Sequence, residues 1–205
     1  MLVMPFSQTL ACSLEDFPEW RKGRMRYGVW IVRGNTEVDQ HIQHARQHLG
    51  TWLHPKGARQ SHITVFVCGF LSKHVLYDDD FSAQQLSAQI SELQQHAPHC
   101  FELSIGGLNS FNTTAFLEVK DPSNGLEHIR SALSKHSHEI RQSTYIPHVT
   151  VGLYREAVSR NDVLKAFRQL TLPHLVLRVD CLEFVSFDAQ DPQGELTVEY
   201  TFQLS

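Results

Sequence analysis

Two short strings carry residue types that can do chemistry: Ser61-His62-Ile63-Thr64-Val65-Phe66-Val67 and Pro147-His148-Val149-Thr150-Val151-Gly152-Leu153. Each sets a His and a Thr two residues apart in an otherwise apolar, β-branched run, which reads as a strand. On a strand, residues i and i+2 share a face, about 6.5–7 Å apart at about 3.3 Å per residue. Each string therefore presents one imidazole and one hydroxyl on one side, while Ile63 and Val65, or Val149 and Val151, turn to a core. Two imidazoles and two hydroxyls suffice for acid–base chemistry on a phosphate. An unperturbed imidazole titrates near about 6.5, so one ring can take a proton while the other gives one.

Frequency alone is weak support. With 13 His among 205 residues, chance yields roughly 0.7 His-x-Thr triplets. Context is stronger, because both triplets continue into Val and both sit in mid-strand. A shift of 86 positions lays His148 on His62 and also lays Ala115-Phe116-Leu117 on Val29-Trp30-Ile31, two aromatic-centred apolar runs. The helices between do not keep register, so the duplication is legible mainly as element order. A lone strand histidine is more often a hydrogen-bonded core residue, and a strand threonine a mere β-former. The repeated offset argues against both readings here.

The elements that must position these residues follow from periodicity and punctuation. A first strand spans Tyr27–Val32, and a helix over about Glu37–Trp52 sets Val38, Ile42, Ala45, Leu49 and Trp52 on one face. The first His-x-Thr strand runs Ser61–Phe70. Asp78-Asp79-Asp80 and Ser82 cap a helix at Ala83–His96. Strands at Cys100–Leu108 and Thr114–Lys120 precede a helix at Ser123–Arg141, then the second His-x-Thr strand at Ile146–Tyr154. A helix at Ser159–Leu170 leads to strands at His174–Ser186 and Glu195–Gln203, joined by the Asp191-Pro192-Gln193-Gly194 turn. This order predicts an α+β protein with two mainly antiparallel sheets around a central cleft and helices outside. The approximate lobes are 26–111 and 112–205 of a single domain, after an N-terminal extension at 1–25.

Bulk properties permit that plan. A chain of 205 residues, 41% hydrophobic and 20% charged, is long enough for a sizeable core. A net charge of −4 argues against a broad non-specific grip on nucleic acid, though not against a pocket for one nucleotide or an RNA end. Cys12, Cys68, Cys100 and Cys181 are scattered without C-x-x-C spacing and read as reduced thiols of a cytoplasmic protein. Leu10-Ala11-Cys12 hints at a lipoprotein site, but Pro5 and Ser7-Gln8-Thr9 interrupt the apolar run. No stretch approaches the ~20 apolar residues of a membrane span.

With those residues in view, the chain resembles the two-histidine (2H) phosphoesterase superfamily, closest to its 2′-5′ RNA ligase / RNA 2′,3′-cyclic phosphodiesterase branch. The resembling residues are His62-Ile63-Thr64-Val65, Pro147-His148-Val149-Thr150-Val151 and, more loosely, Phe101–Phe111 with its Ile105-Gly106-Gly107-Leu108 turn. The resemblance implies a duplicated bilobal fold and a hydrolase that opens the 2′,3′-cyclic phosphate of an RNA end or nucleotide to a 2′-phosphate. His62 and His148 would be its acid–base pair, in an order that stays open, and Thr64 and Thr150 would bind phosphate oxygens. It implies no cofactor and no metal. A monomer acting on an RNA end or small nucleotide, with no membrane partner, fits this reading. Alternatives are a phosphodiesterase on 2′-5′-linked oligonucleotides or another small cyclic phosphodiester, or a non-catalytic RNA- or nucleotide-binding module.

Other constellations are weaker. Tyr154, six residues past His148, falls on the cleft side of a regular strand and could stack on a base. Arg155 beside it could reach a phosphate. Arg21, Lys22, Arg24 and Arg26 could guide RNA, although a solvated segment is the plainer reading. His41, His44 and His48 nearly share a helical face but lack a completing ligand, and read as a solvated face. P-loop, G-x-S-x-G, H-E-x-x-H and Rossmann glycine patterns are absent.

Overall fold

The computed structural model describes residues 6–140 and 143–205. A short helix α1 (Pro18–Arg21) precedes β1 (Arg26–Arg33), α2 (Thr36–Leu49), β2 (His62–Leu71), the two-residue β3 (Asp80–Phe81) and α3 (Ala83–His96). Then follow β4 (Phe101–Ser110), β5 (Thr114–Lys120), α4 (Gly125–Ser134), β6 (His148–Leu153), α5 (Arg160–Gln169), β7 (Leu175–Val179), β8 (Cys181–Asp188) and β9 (Thr197–Gln203). Local chemistry sets the helix starts. The Asn35 side chain accepts from the Val38 amide, Ser82 and Gln85 close a capping box, and Ser159 accepts from the Asp162 amide. Among the described residues no helix is long and apolar enough to cross a membrane.

The strands form one nine-stranded sheet in the order β7-β4-β5-β6-β2-β1-β8-β9, with β3 parallel to the end of β2 and every other pairing antiparallel. The two halves meet at one register pair, Ile63 opposite Val149. β7 ends at Val179 and β8 begins at Cys181, so their ends lie within about 7 Å although six places separate them in the sheet. The sheet must therefore curl into a half-barrel, and the cleft lies on its inner face.

Spatial lobes do not coincide with sequence halves. β4 pairs with β5 in the second lobe, while β8 and β9 return to pair with β1 in the first. The division at 111/112 thus cuts a hairpin, and the strand expected over His174–Ser186 is two strands that change lobe at Asp180. The lobes match by a pseudo-two-fold axis between Ile63 and Val149: β2 answers β6, β1 answers β5, β8 answers β4 and β9 answers β7.

The duplication extends to irregularities. Ile31 pairs with Thr64 and Trp30 with Phe66, so Val65 is an extra residue in β2. Phe116 pairs with Thr150 and Ala115 with Gly152, so Val151 is an extra residue in β6. Each marked strand bulges one residue beyond its Thr. This register equates Ile31 with Phe116, one position away from the correspondence that the shift of 86 suggests.

Helices pack on the outer face. Val38, Ile42, Ala45 and Leu49 of α2 and Leu126, Ile129, Ala132 and Leu133 of α4 join Trp30, Ile63, Val65, Val149 and Val151 in the larger core. Trp30 is sealed in by its indole N–H, which donates to Gln89 Oε1 at 2.8 Å. A smaller cluster of Tyr27, Val29, Ile31, Phe70 and Val185 lines the inner face.

Several local expectations are corrected. Ile105–Leu108 is no turn: Gly107 adopts φ +62° at a bulge inside β4, a conformation glycine tolerates. α4 stops at Ser134 rather than running on, because the Ile140 amide donates to the Val67 carbonyl and Glu139 accepts from the Val67 amide, laying this segment along β2. The expected helix end at 141 lies outside the described residues. The acidic triplet is mostly not a cap: Asp79 and Asp80 pair with Arg24, and Ser82 caps α3 alone.

Candidate active site

The strand pair β2–β6 builds the site. Around Ile63 and Val149, antiparallel register sets His62 across from Thr150 and Thr64 across from His148, with the two imidazoles on a diagonal of about 7–8 Å. Both rings are oriented alike. His62 Nδ1 lies 2.8 Å from the Gln60 carbonyl oxygen and His148 Nδ1 lies 2.8 Å from that of Ile146. A carbonyl only accepts, so each Nδ1 carries a hydrogen, and Nε2 is the ring nitrogen through which each imidazole would take or give a proton.

Surroundings make the two rings different. Burial holds His62 well below the ordinary imidazole range, to about 4. The Gln60 carbonyl opposes this, while Arg59, His148 and Arg33 push further down. Arg33 stands across the β1–β2 ladder from His62, whereas Glu118 stands across the β5–β6 ladder from His148. Glu118 Oε1 accepts from Asn109 Nδ2 at 2.6 Å. The His148 ring meets Phe111 edge-on at 5.0 Å and Phe116 at 5.2 Å, and those two rings stack at 4.4 Å. This aromatic pair fixes the His148 rotamer.

A cleft of about 710 Å³ opens over this face. His62, Thr64 and His148 line it with an aromatic wall of Tyr27, Phe111 and Phe187, and with Arg59. Thr150 is exposed and lines an adjoining pocket of about 200 Å³, which shares His62 and Arg59 with the main cleft. The four motif residues therefore gather on the β2–β6 pair, with His62, Thr64 and His148 lining the main cleft and Thr150 the side pocket. The Tyr145 hydroxyl donates to the Thr64 carbonyl at 2.9 Å, and Arg130 stacks on Tyr145 while donating to the Val65 carbonyl at 2.6 Å. These contacts brace β2 where β6 diverges from it.

Two expected substrate contacts fail. Tyr154 is fully buried, its hydroxyl within 2.9 Å of Ser110 Oγ, and burial pushes its phenol up to about 12. The extra residue Val151 reverses strand parity, so Tyr154 turns to the core with Val149 and Val151. Arg155 lies beyond the strand end, exposed, its amide bonded to the Trp52 carbonyl, and it lines neither pocket. The N-terminal arginines are also engaged: Arg21 pairs with Asp16, Arg24 with Asp79 and Asp80, and Arg26 with Glu199. The α2 histidines are not one solvated face, since His41 is buried between the Glu37 and Pro173 carbonyls and His48 bonds the Ala166 carbonyl.

Arg59 and the aromatic wall carry no sequence motif. Arg59 precedes His62 by three residues in an ordinary loop, and its significance rests on Phe187 and Gln193, far along the chain.

No curated protein matches the chain significantly in sequence. Solved structures resemble it in fold. Escherichia coli LigT in its apo form superposes with a TM-score of 0.62 at 16% identity, over 89% of this chain and 99% of that one. TT0787 of Thermus thermophilus gives 0.60 at 15% identity, over 87% and 97%. Kluyveromyces marxianus Usb1 gives 0.56 at 13% identity, over 88% and 98%. The family model of the 2′-5′ RNA ligase superfamily matches residues 35–191, a span that holds both His-x-Thr strands. Such a match supports a phosphodiesterase-type enzyme, and the chain belongs to the 2′-5′ RNA ligase superfamily of 2H phosphoesterases.

Proposed function

We propose that this protein is a phosphodiesterase that opens 2′,3′-cyclic phosphates of RNA ends or nucleotides to 2′-phosphates, with His62 as base and His148 as acid. The observation that carries the reading is the matched pair of imidazoles, each with Nδ1 tied to a carbonyl, with an arginine across the ladder from His62 and a glutamate across the ladder from His148. His62 stays neutral at working pH because burial and nearby cations disfavour its charge. His148, with the Glu118 carboxylate across its ladder, takes the acid role.

In the reaction, His62 Nε2 takes a proton from water as its oxygen bonds to phosphorus. The bond from phosphorus to the 3′ oxygen breaks, and His148 Nε2 delivers a proton to that oxygen. The products are a 2′-phosphate and a free 3′-hydroxyl. Thr64 and Thr150 donate to the non-bridging oxygens as charge grows on them. Each imidazole contributes about 10²–10⁴-fold, the usual range for positioned proton transfer. The two rings supply both proton transfers, so the scheme calls for no cofactor and no metal.

The walls of the cleft suit a nucleotide. Tyr27, Phe111 and Phe187 offer π faces for a base, the role expected of Tyr154. E. coli LigT has been crystallised with 3′-AMP, NADP+ and ATP, and a nucleotide is the class we assign to this cleft.

The test is hydrolysis of a 2′,3′-cyclic mononucleotide with EDTA present, for wild type and His148→Ala, resolving 2′- from 3′-phosphate. Wild-type turnover to the 2′-phosphate, lost in the variant, is expected. No turnover would overturn the substrate assignment in favour of 2′-5′ linkages, another cyclic phosphodiester or binding alone.

A further inference from the structure

Arg59 is out of keeping with the other partly buried arginines among the described residues. Arg21, Arg24, Arg26, Arg33 and Arg130 each meet a carboxylate within salt-bridge distance, and Arg46 donates to the Val151 and His54 carbonyls. The Arg59 guanidinium has no such partner among the described residues. Its Nε and Nη2 are buried without any hydrogen bond. Burial pushes the group down to about 10, and the charge of Asp191 offsets this only in part. Buried donors left unpaired are costly, and a charged one more so. An anion bound at the mouth of the cleft would offset this cost.

Its position says which anion. Arg59 and His62 are the two residues common to the main cleft and the side pocket, so the guanidinium sits where both spaces meet beside the proposed base. Among the described residues lining the main cleft it is the one permanent cation. Phe187 supports it from beneath, with the guanidinium carbon 4.0 Å from the ring centroid. The Arg59 amide donates to the Gln193 carbonyl at 3.0 Å, which ties its loop to the 191–194 turn. The Nε–Nη2 edge is the fork that matches two oxygens of one phosphate. Both fork atoms are buried as they stand, so gripping a phosphate requires the side chain to shift until the fork opens to the cleft that Arg59 lines.

We infer that Arg59 is the phosphate-gripping residue of this site, donating through its Nε–Nη2 fork to the phosphoryl oxygens of the substrate. The inference rests on the phosphodiesterase reading for its substrate, and on geometry alone for its anion site. A packing role on Phe187 is the competing account, and it requires no anion.

The experiment compares wild type, Arg59→Met and Arg59→Lys, with folding checked by circular dichroism. Inorganic phosphate is titrated while the ring signals of His62 are followed by NMR, adenosine serves as an uncharged control, and turnover of 2′,3′-cyclic AMP is measured in parallel. Phosphate affinity and kcat/KM are expected to fall about 10- to 100-fold in Arg59→Met, the range for charge-assisted bonds. Arg59→Lys should fall between, having the charge without the fork, and it decides the matter should the Met variant not fold. Adenosine binding should stay within twofold. Wild-type phosphate affinity in both variants, or no phosphate response in wild type, would overturn the role of Arg59. Loss of phosphate binding in the variants of a protein that leaves cyclic AMP untouched would uphold the anion site and overturn the phosphodiesterase reading instead.

Discussion

Arg33 stands directly across the β1–β2 ladder from His62 and adds its field to the burial that, before all else, keeps that imidazole unprotonated. The stability consequence has a definite sign. Above about pH 6.5 the ring is neutral in folded and unfolded chains alike and contributes nothing. As pH falls from there to about 4, the unfolded chain takes up a proton that the folded one refuses, and stability declines through that window. At about 1.4 kcal/mol per pH unit the loss reaches about 2–3 kcal/mol, allowing for the part of the ring open to solvent. Urea unfolding of wild type and His62→Gln from pH 7 to pH 4 should show the variant losing less. Parallel curves would mean that His62 titrates normally.

The same asymmetry assigns catalytic roles. On a cyclic nucleotide, His62→Ala and His148→Ala should each lose about 10²–10⁴-fold. A nitrophenyl phosphodiester releases a stable phenolate and needs no proton donor. Against that compound His148→Ala should recover most of its activity, while His62→Ala stays impaired. Recovery of the His62 variant instead would reverse base and acid.

Tyr154 is expected to matter to folding and not to turnover. Tyr154→Phe deletes one buried hydrogen bond, to Ser110 Oγ, whose hydroxyl keeps the Phe111 carbonyl at 2.6 Å. The cost should be about 1 kcal/mol in a denaturant melt, with kcat/KM unchanged. A kinetic defect without a stability defect would return Tyr154 to the substrate.

What could be read from the sequence was whatever depended on short-range pattern. His62, Thr64, His148 and Thr150 stood out because alternation within a strand is local, and α3 appears with the very bounds that periodicity suggests. Counting by twos misplaces Tyr154 because it assumes an unbroken strand, and the bulge at Val151 exists only in relation to Ala115 and Phe116. The break at Asp180 was hidden for a similar reason, since the run 174–186 is continuously strand-like and its division follows from the curl of the whole sheet. Arg59 was invisible because a loop arginine becomes a site residue only once Phe187 and Gln193 are brought beside it.

Gly57 tests how Arg59 is held. A Cβ at this position would lie 2.5 Å from Gln193 Cβ and 2.6 Å from the Gln193 backbone oxygen, so the loop and the 191–194 turn could not remain in contact. Gly57→Ala must push them apart, straining the bond from the Arg59 amide to the Gln193 carbonyl and moving the guanidinium off Phe187. Overpacking of this kind costs about 1–3 kcal/mol. Turnover should fall as well, and a double-mutant cycle reveals the route. If the kinetic effect runs through Arg59, Gly57→Ala should cost activity in wild type and almost none in Arg59→Met, because a lost contact cannot be lost twice. Additive losses would place the effect of Gly57 elsewhere, in the His62 strand that the same loop leads into.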